Sequence, residues 1–401
     1  MGIRDKLKIY EKGSDPLPRR DSPLSTIGAE PIPFRDGVLW RFVSRFPLED
    51  ITHELNIPCE ALTLKFFLTY QKLSQNIRLE NILFLDLETT SLSTGTGNYP
   101  FLIGIGHIQD NTFCVEQFFM EDYSSEPLIL QHIQPRLEAA EAITTFNGKT
   151  FDIPLLKTRY RINRVPGFPL DKASIDLIHP CRRIFKSLYE NCALKTLEEN
   201  VLGFLRQGDI PGWLIPEVFF SYQKHGETSR IRDVVSHNAL DILSMLKLLM
   251  ILELIYGHIE RGNFSQMHTR ALINMAHHLY KINPTVFLDL VRFLGSDVFQ
   301  ERSLFKKFSN TLKRGGYIDE AMDFWRKDES LYSLEELAKH AEHRERDFIK
   351  ALSICEQAMT LIEKENLSTD TRSPERDRDE HEKSRWLYRV NRLKKRMASH
   401  E

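Results

Sequence analysis

Ile82-Leu83-Phe84-Leu85-Asp86-Leu87-Glu88-Thr89-Thr90 is the stretch on which the reading of the fold turns. Four consecutive apolar residues suit a short strand buried on both faces. Asp86 and Glu88 then sit two apart, so along a strand both carboxylates face one side of the sheet. Downstream, 101–108 and 112–120 read as two further strands, with Gln109-Asp110-Asn111 as the turn between them. Helical spacing follows at 127–140, an apolar strand at 142–146, a helix at 153–160 and a last strand at 174–177. Helices are predicted near 181–188, 194–202 and 231–256. Strands first, then strand and helix in alternation, predict an α/β domain over 81–256 with a mixed sheet flanked by helices.

Residues 1–80 read as an N-terminal extension, partly disordered, leaning on that domain. Its early prolines, Pro16, Pro18, Pro23, Pro31 and Pro33, cannot sit inside helices or central strands. A short strand at 38–43 and helical stretches near 50–56 and 60–77 complete it. Beyond 260 the strand signals vanish. Gly315-Gly316-Tyr317 before Ala321, and Asp347-Phe348 before Ala351, each open an amphipathic helix, and 333–341 supplies a partner. Paired short helices with small contact residues predict an all-α, helical-repeat-like domain over 260–401, of tetratricopeptide-like hairpins. The polar 365–382 reads as an exposed linker, and 383–397 as a basic final helix.

The whole chain of 401 residues is 41% hydrophobic and 27% charged, an ordinary globular composition. A net charge of -2 creates no global field for nucleic acid, so such binding would need local basic patches. The five cysteines are scattered without a CxxC pair, which argues against zinc and disulfides and suits a reducing cytoplasm. The most apolar stretch, 240–256, contains Asp241, Lys247 and Glu253, so it reads as a buried helix and no membrane span is expected.

Three segments carry chemistry: the one quoted above, Asn147-Gly148-Lys149-Thr150-Phe151-Asp152, and His237-Asn238-Ala239-Leu240-Asp241. Singly, each has a bland alternative. Asp86 and Glu88 can be solvated acids at a strand end; Asp152 can cap a helix; His237 and Asp241, four apart, can be a surface pair. Their conjunction is different. Two unit charges about 4 Å apart interact by roughly 4 kcal/mol at an effective dielectric near 20. Four acids in one cleft therefore persist only with protons or cations among them. Oxygen ligands without thiolate favour Mg²⁺ or Mn²⁺. Two such ions are the usual device for in-line phosphodiester hydrolysis, and a neutral imidazole is a suitable base for the attacking water.

These segments resemble the three exonuclease motifs of the DEDD superfamily, which has a ribonuclease H-like fold. The resemblance is closer still to the bacterial YprB-like group, through Leu92-Ser93-Thr94-Gly95-Thr96-Gly97, Phe101-Leu102-Ile103-Gly104, Thr145 to Pro154, and Leu194-Lys195-Thr196-Leu197-Glu198. The resemblance implies that Asp86, Glu88, Asp152 and Asp241 hold two metal ions, Mg²⁺ or Mn²⁺, and that His237 is the base. Members with histidine place it five before the last aspartate and members with tyrosine four before; this chain has histidine at the tyrosine spacing. Ser91 stands where a glycine is common after the two threonines.

Thr89, Thr90 and Asn147 are candidates to contact the terminal nucleotide. Lys149, with Lys157, Arg159, Arg161 and Arg164, forms a basic run that can track phosphates, and Arg182, Arg183 and Lys186 form another. Trp213 and Tyr222 can stack on bases but read better as core. The expected function is a cytoplasmic metal-dependent 3′–5′ exonuclease acting on single-stranded RNA or DNA, with the helical tail recruiting a protein partner or positioning substrate. The alternative is a catalytically weak nucleic-acid-binding or scaffold protein that uses the helical domain for partner binding.

Overall fold

The computed structural model describes residues 22–35, 37–58, 62–74, 77–91, 97–166, 172–295, 302–328, 330–368 and 375–398. Among them, seven strands form one sheet: β1 (Glu30–Phe34), β2 (Gly37–Pro47), β3 (Ile82–Thr89), β4 (Pro100–Gln109), β5 (Thr112–Phe119), β6 (Ala142–Thr145) and β7 (Ala173–Asp176). Their order is β1-β2-β5-β4-β3-β6-β7. The pairs from β1 to β3 are antiparallel, whereas β3–β6 and β6–β7 are parallel. This is the expected mixed sheet. Asp110 and Asn111 both take positive φ, which closes the β4–β5 hairpin as a two-residue turn.

Helices α1 (Leu48–Glu54), α2 (Lys65–Gln71), α3 (Glu126–Ala139), α4 (Asp152–Ile162), α5 (Ile178–Phe185), α6 (Leu194–Leu197), α7 (Ile215–His225) and α8 (Ile231–Glu260) accompany the sheet. The mixed sheet flanked by helices is the architecture that the sequence predicts. The long helix α8 lies across β4 because two glycines remove the obstacle. A Cβ on Gly104 would stand 2.1 Å from Asn238 Oδ1, and one on Gly106 would stand 2.5 Å from Ile242 Cγ2.

One expectation is corrected. Residues 30–47 do not lean on the sheet as an extension; they are two of its strands. β2 pairs with β5 from Trp40–Phe119 to Pro47–Thr112, and Trp40, Leu39 and Phe42 enter the core. The expected disorder of the N-terminus falls mostly on 1–21, outside the described residues. Glu253 of α8 further ties in the following segment. Its two carboxylate oxygens accept from the first free backbone N–H groups of α2, Phe66 at 3.1 Å and Phe67 at 2.7 Å.

The chain divides into two compact units, Met1–Gln266 and Met267–Glu401. The second is built of α9 (Thr269–Ile282), α10 (Pro284–Leu294), α11 (Arg302–Gly315), α12 (Ile318–Lys327), α13 (Leu331–His340), α14 (Phe348–Ser368) and α15 (Glu375–Ala398). Small residues sit at its contacts: Ala338, Ala341, Ala351 and Ala358 pack with Trp386, Val390 and Leu393. The expected linker at 365–382 is instead the end of α14 and the start of α15, with 369–374 outside the described residues. Among the described residues no helix is long and apolar enough to cross a membrane.

Candidate active site

Strand β3 carries Asp86 and Glu88 towards its carboxyl end and Asp152 opens the helix after β6, on the edge where open α/β sheets place their ligands. On β3 the burial alternates. Leu85 and Leu87 are buried while Asp86 and Glu88 remain partly open on the other face. A register shift against β4 between Glu88 and Thr89 marks a bulge at the end of the ladder.

Asp86 pairs across the ladder with Gly104, and Gly104 with Gln117. Asn238 sits in the notch that Gly104 leaves. Its Nδ2 donates to Asp86 Oδ2 at 2.7 Å, and its Oδ1 accepts from Gln117 Nε2 at 2.9 Å. Gln117 Nε2 also donates to the Val235 carbonyl at 2.7 Å. The glycine, the glutamine and the asparagine thus fix both the height of α8 and the rotamer of Asp86.

Asp152 opens α4, where Phe151 is the capping position and Asp152 the first helical residue. The turn before it is held from β7. Asp176 accepts from the backbone N–H of Asn147 at 2.7 Å, Lys149 at 3.1 Å and Ile178 at 3.2 Å. Asn147 adopts φ +65°, and Gly148 lies so close that a Cβ would stand 2.5 Å from Asp152 Oδ2. The asparagine and the glycine are therefore what lets the chain turn directly over the carboxylate.

The third segment lies on α8. Asp241 keeps 19% of its side chain exposed and receives the Arg206 guanidinium on Oδ1. His237 Nε2 stands 3.7 Å from Asp241 Oδ2, and His237 Nδ1 stands 2.8 Å from Asp209 Oδ1.

Electrostatics tie the four acids together. Burial first, then the Asp241 and Asp152 carboxylates, push Asp86 well above the usual carboxylate range, against the Asn238 bond and the Arg206 charge. Glu88 is raised well above its ordinary value by burial, then by Asp86, Asp241, Asp152 and Asp209. Burial, with the Asp176 charge adding to it, pushes Asp152 up to about 7. Asp241 is raised by burial against the opposing pull of His237 and Arg206. Among the described residues, no three His, Cys, Asp or Glu side chains form a ready-made metal cluster. The chemistry of the donor set still fits a hard divalent cation. It is oxygen-only, and burial first, then mutual repulsion, holds its acids against ionisation.

Residues 83–253 match the RNase_H superfamily. The first unit thus contains a stretch similar to the ribonuclease H superfamily. The match runs from β3 into α8 and so includes every acid described above. The chain is also similar to the uncharacterized protein YprB of Bacillus subtilis (strain 168), with 29% identity over 304 residues, 71% of each chain. The likeness read from the three segments stands.

The other candidates divide. Asn147 and Lys149, both within the second segment, are exposed. Thr89 and Thr90 are buried, with the Thr89 hydroxyl donating to the Ser91 carbonyl at 2.7 Å and the Thr90 hydroxyl donating to Asn98 Oδ1 at 3.2 Å. Both hydroxyls thus bond within the chain itself. Arg159 leaves the basic run, since it is 2% exposed, grips Glu126 through Nε and Nη2 at 2.5 Å each, and lies 3.9 Å over the Tyr99 ring. Arg183 bonds Tyr256 and Gln71. Tyr222 is buried in the core, but Trp213 is 70% exposed, against expectation. Leu92 to Thr96, part of the quoted resemblance, lie outside the described residues.

Sequence reasoning missed Asn238, Gln117, Glu198, Arg206 and Asp209. Asn238 and Glu198 stand inside quoted segments without a role. Gln117, an amide between Glu116 and the apolar Phe118-Phe119, was a visible signal. Arg206 and Asp209 lie in a loop with no pattern to mark them.

Proposed function

We propose that this chain is a metal-dependent 3′–5′ exonuclease that hydrolyses phosphodiester bonds of single-stranded nucleic acid. What supports the reading is the electrostatic repulsion that Asp86 and Glu88 feel from Asp152 and Asp241. These four carboxylates would hold Mg²⁺ or Mn²⁺, two ions in the full complement. Bound there, the ions would generate hydroxide at neutral pH and neutralise the leaving oxygen.

The chain's own groups do the rest. Asp209 accepts the proton-bearing Nδ1 of His237, which leaves Nε2 facing Asp241 with a free lone pair. Nε2 takes the proton of the attacking water as the new P–O bond forms and the bond to the 3′ oxygen breaks. Asn238 keeps Asp86 in one rotamer throughout. Asn147 and Lys149, exposed beside Asp152, are placed to contact the terminal nucleotide and its phosphate.

The test uses purified protein with Mn²⁺ or Mg²⁺ and matched RNA and DNA oligonucleotides labelled at either end. The wild type is expected to shorten strands from the 3′ end and release nucleoside 5′-monophosphates. Asp86→Ala and Asp152→Ala are each expected to lower the rate by at least about a hundredfold, the scale of lost transition-state charge stabilisation. Variants as fast as wild type would sink the assignment. Cleavage of a closed single-stranded circle would replace exonuclease with endonuclease.

A further inference from the structure

We propose that Arg206 is the positioning residue of the third segment, fixing Asp241 directly and His237 through Asp209. The inference rests on the reading of Asp241 as a cation ligand.

The observation is a fully engaged guanidinium. Arg206 is 3% exposed and Glu198, its first partner, is 0% exposed. Nε donates to Glu198 Oε2 at 2.7 Å and Nη2 to Glu198 Oε1 at 2.5 Å. The opposite side of the fork reaches the site. Nη2 also donates to Asp241 Oδ1, and Nη1 lies 3.3 Å from Asp209 Oδ2 and 3.2 Å from His237 Nδ1. A buried carboxylate would need only the first pair of bonds to be satisfied. On that side the donors that find acceptors end on Asp241 and Asp209.

The geometry has two consequences. Asp241 has Oδ1 committed to Arg206, so it presents Oδ2 alone, on the side where His237 Nε2 lies at 3.7 Å. Asp209 is held by Arg206 on one oxygen and offers the other to His237 Nδ1 at 2.8 Å, which sets the ring's tautomer and direction. The histidine stands at the spacing of a tyrosine, and its reach is set by this second anchor instead of by α8 alone. Lysine cannot replace the fork, because an ammonium has three donors and no plane.

The experiment reads metal binding and imidazole state without any cleavage assay. Mn²⁺ is titrated into the full chain and followed by electron paramagnetic resonance, with nitrogen NMR of His237 alongside. The Glu198→Gln/Arg206→Gln double variant removes one charge of each sign, so the net charge of the site is unchanged and a change reports orientation. It is expected to keep its melting behaviour, to bind Mn²⁺ about tenfold or more weakly, and to lose the single Nδ1-protonated tautomer. Should the double variant not fold, Arg206→Lys carries the test, with the same losses expected. Asp209→Asn is expected to alter the tautomer. Affinity within about twofold of wild type and an unchanged tautomer in a folded variant overturn the proposal. Wild-type protein that binds Mn²⁺ but cleaves nothing removes the nuclease reading and leaves this one standing; wild-type protein that binds no Mn²⁺ removes both.

Discussion

Asp152 shows how one carboxyl couples the site to stability. Its folded value of about 7 lies above the ordinary aspartate value, chiefly because it is buried. Between roughly pH 4 and that folded value, the native chain keeps a proton that the unfolded chain has released. Stability therefore falls as pH rises through this window, by at most about 1.4 kcal/mol per pH unit for this group. Asp86, Glu88 and Asp241 are displaced in the same direction. In chelator, the melting temperature is expected to drop across this window, Asp152→Asn to flatten the slope, and added Mn²⁺ to reverse it at neutral pH. A melting temperature that rises or stays level from pH 4 to 7 contradicts the account. The acids themselves were legible because alternation along β3 and the opening of α4 are local features. Asp176 was legible only as a residue. Its three backbone bonds, which hold the turn carrying Asp152, join segments 27 to 29 residues apart or span a local bend.

The approach of α8 to β4 depends on Gly104 and Gly106, two apart and so on one face of the strand. Gly104→Ala would drive a methyl group to 2.1 Å from Asn238 Oδ1, so α8 must lift or Asn238 must leave Asp86. The expected cost is about 1–3 kcal/mol of stability, typical of overpacking, and a loss of activity larger than the stability loss explains. Chemical denaturation beside the oligonucleotide assay checks this, and an Ala variant with wild-type stability and rate refutes it. Element existence was largely readable here: the two-residue hairpin, the apolar β3 and the amphipathic helices each announce themselves locally. The N-terminal strands were not. β1 carries Pro31 and Pro33, which fit an edge strand, and β2 finds its partner in β5 far along the chain. The segment at 365–382 misled for a different reason. Its charge reads as solvent-exposed linker, yet Lys383 next to it pairs with Glu363 of α14 at 3.2 Å.

Each compact unit has its own buried core, and the second closes on a basic helix whose charges are largely answered within it. Arg392 and Arg396 reach Glu342 at 2.6 and 3.0 Å, and Arg385 reaches Glu335 at 3.2 Å. These pairs hold the helix to its own unit. Because all of the candidate site lies in Met1–Gln266, a fragment of those residues is expected to fold cooperatively and to bind Mn²⁺ with the affinity of the full chain. Circular dichroism melts and the same Mn²⁺ titration test this. A fragment that is unfolded, or that has lost the metal, would show that the second unit completes the first.

From residue order alone came most of the strands and helices of 81–256, four candidate acids and the class of cation that such acids suit. Each of these is set by periodicities and chemistry within a few residues, or by charges that must be neutralised wherever they meet. The anchoring of those acids belongs to the folded chain. Gly104 is small because Asn238 must reach Asp86 across 152 residues, and Arg206 is in place because buried Glu198 holds it against Asp241 from 35 residues away. Such contacts leave no spacing in the sequence, since the sheet, not the chain, sets their distance.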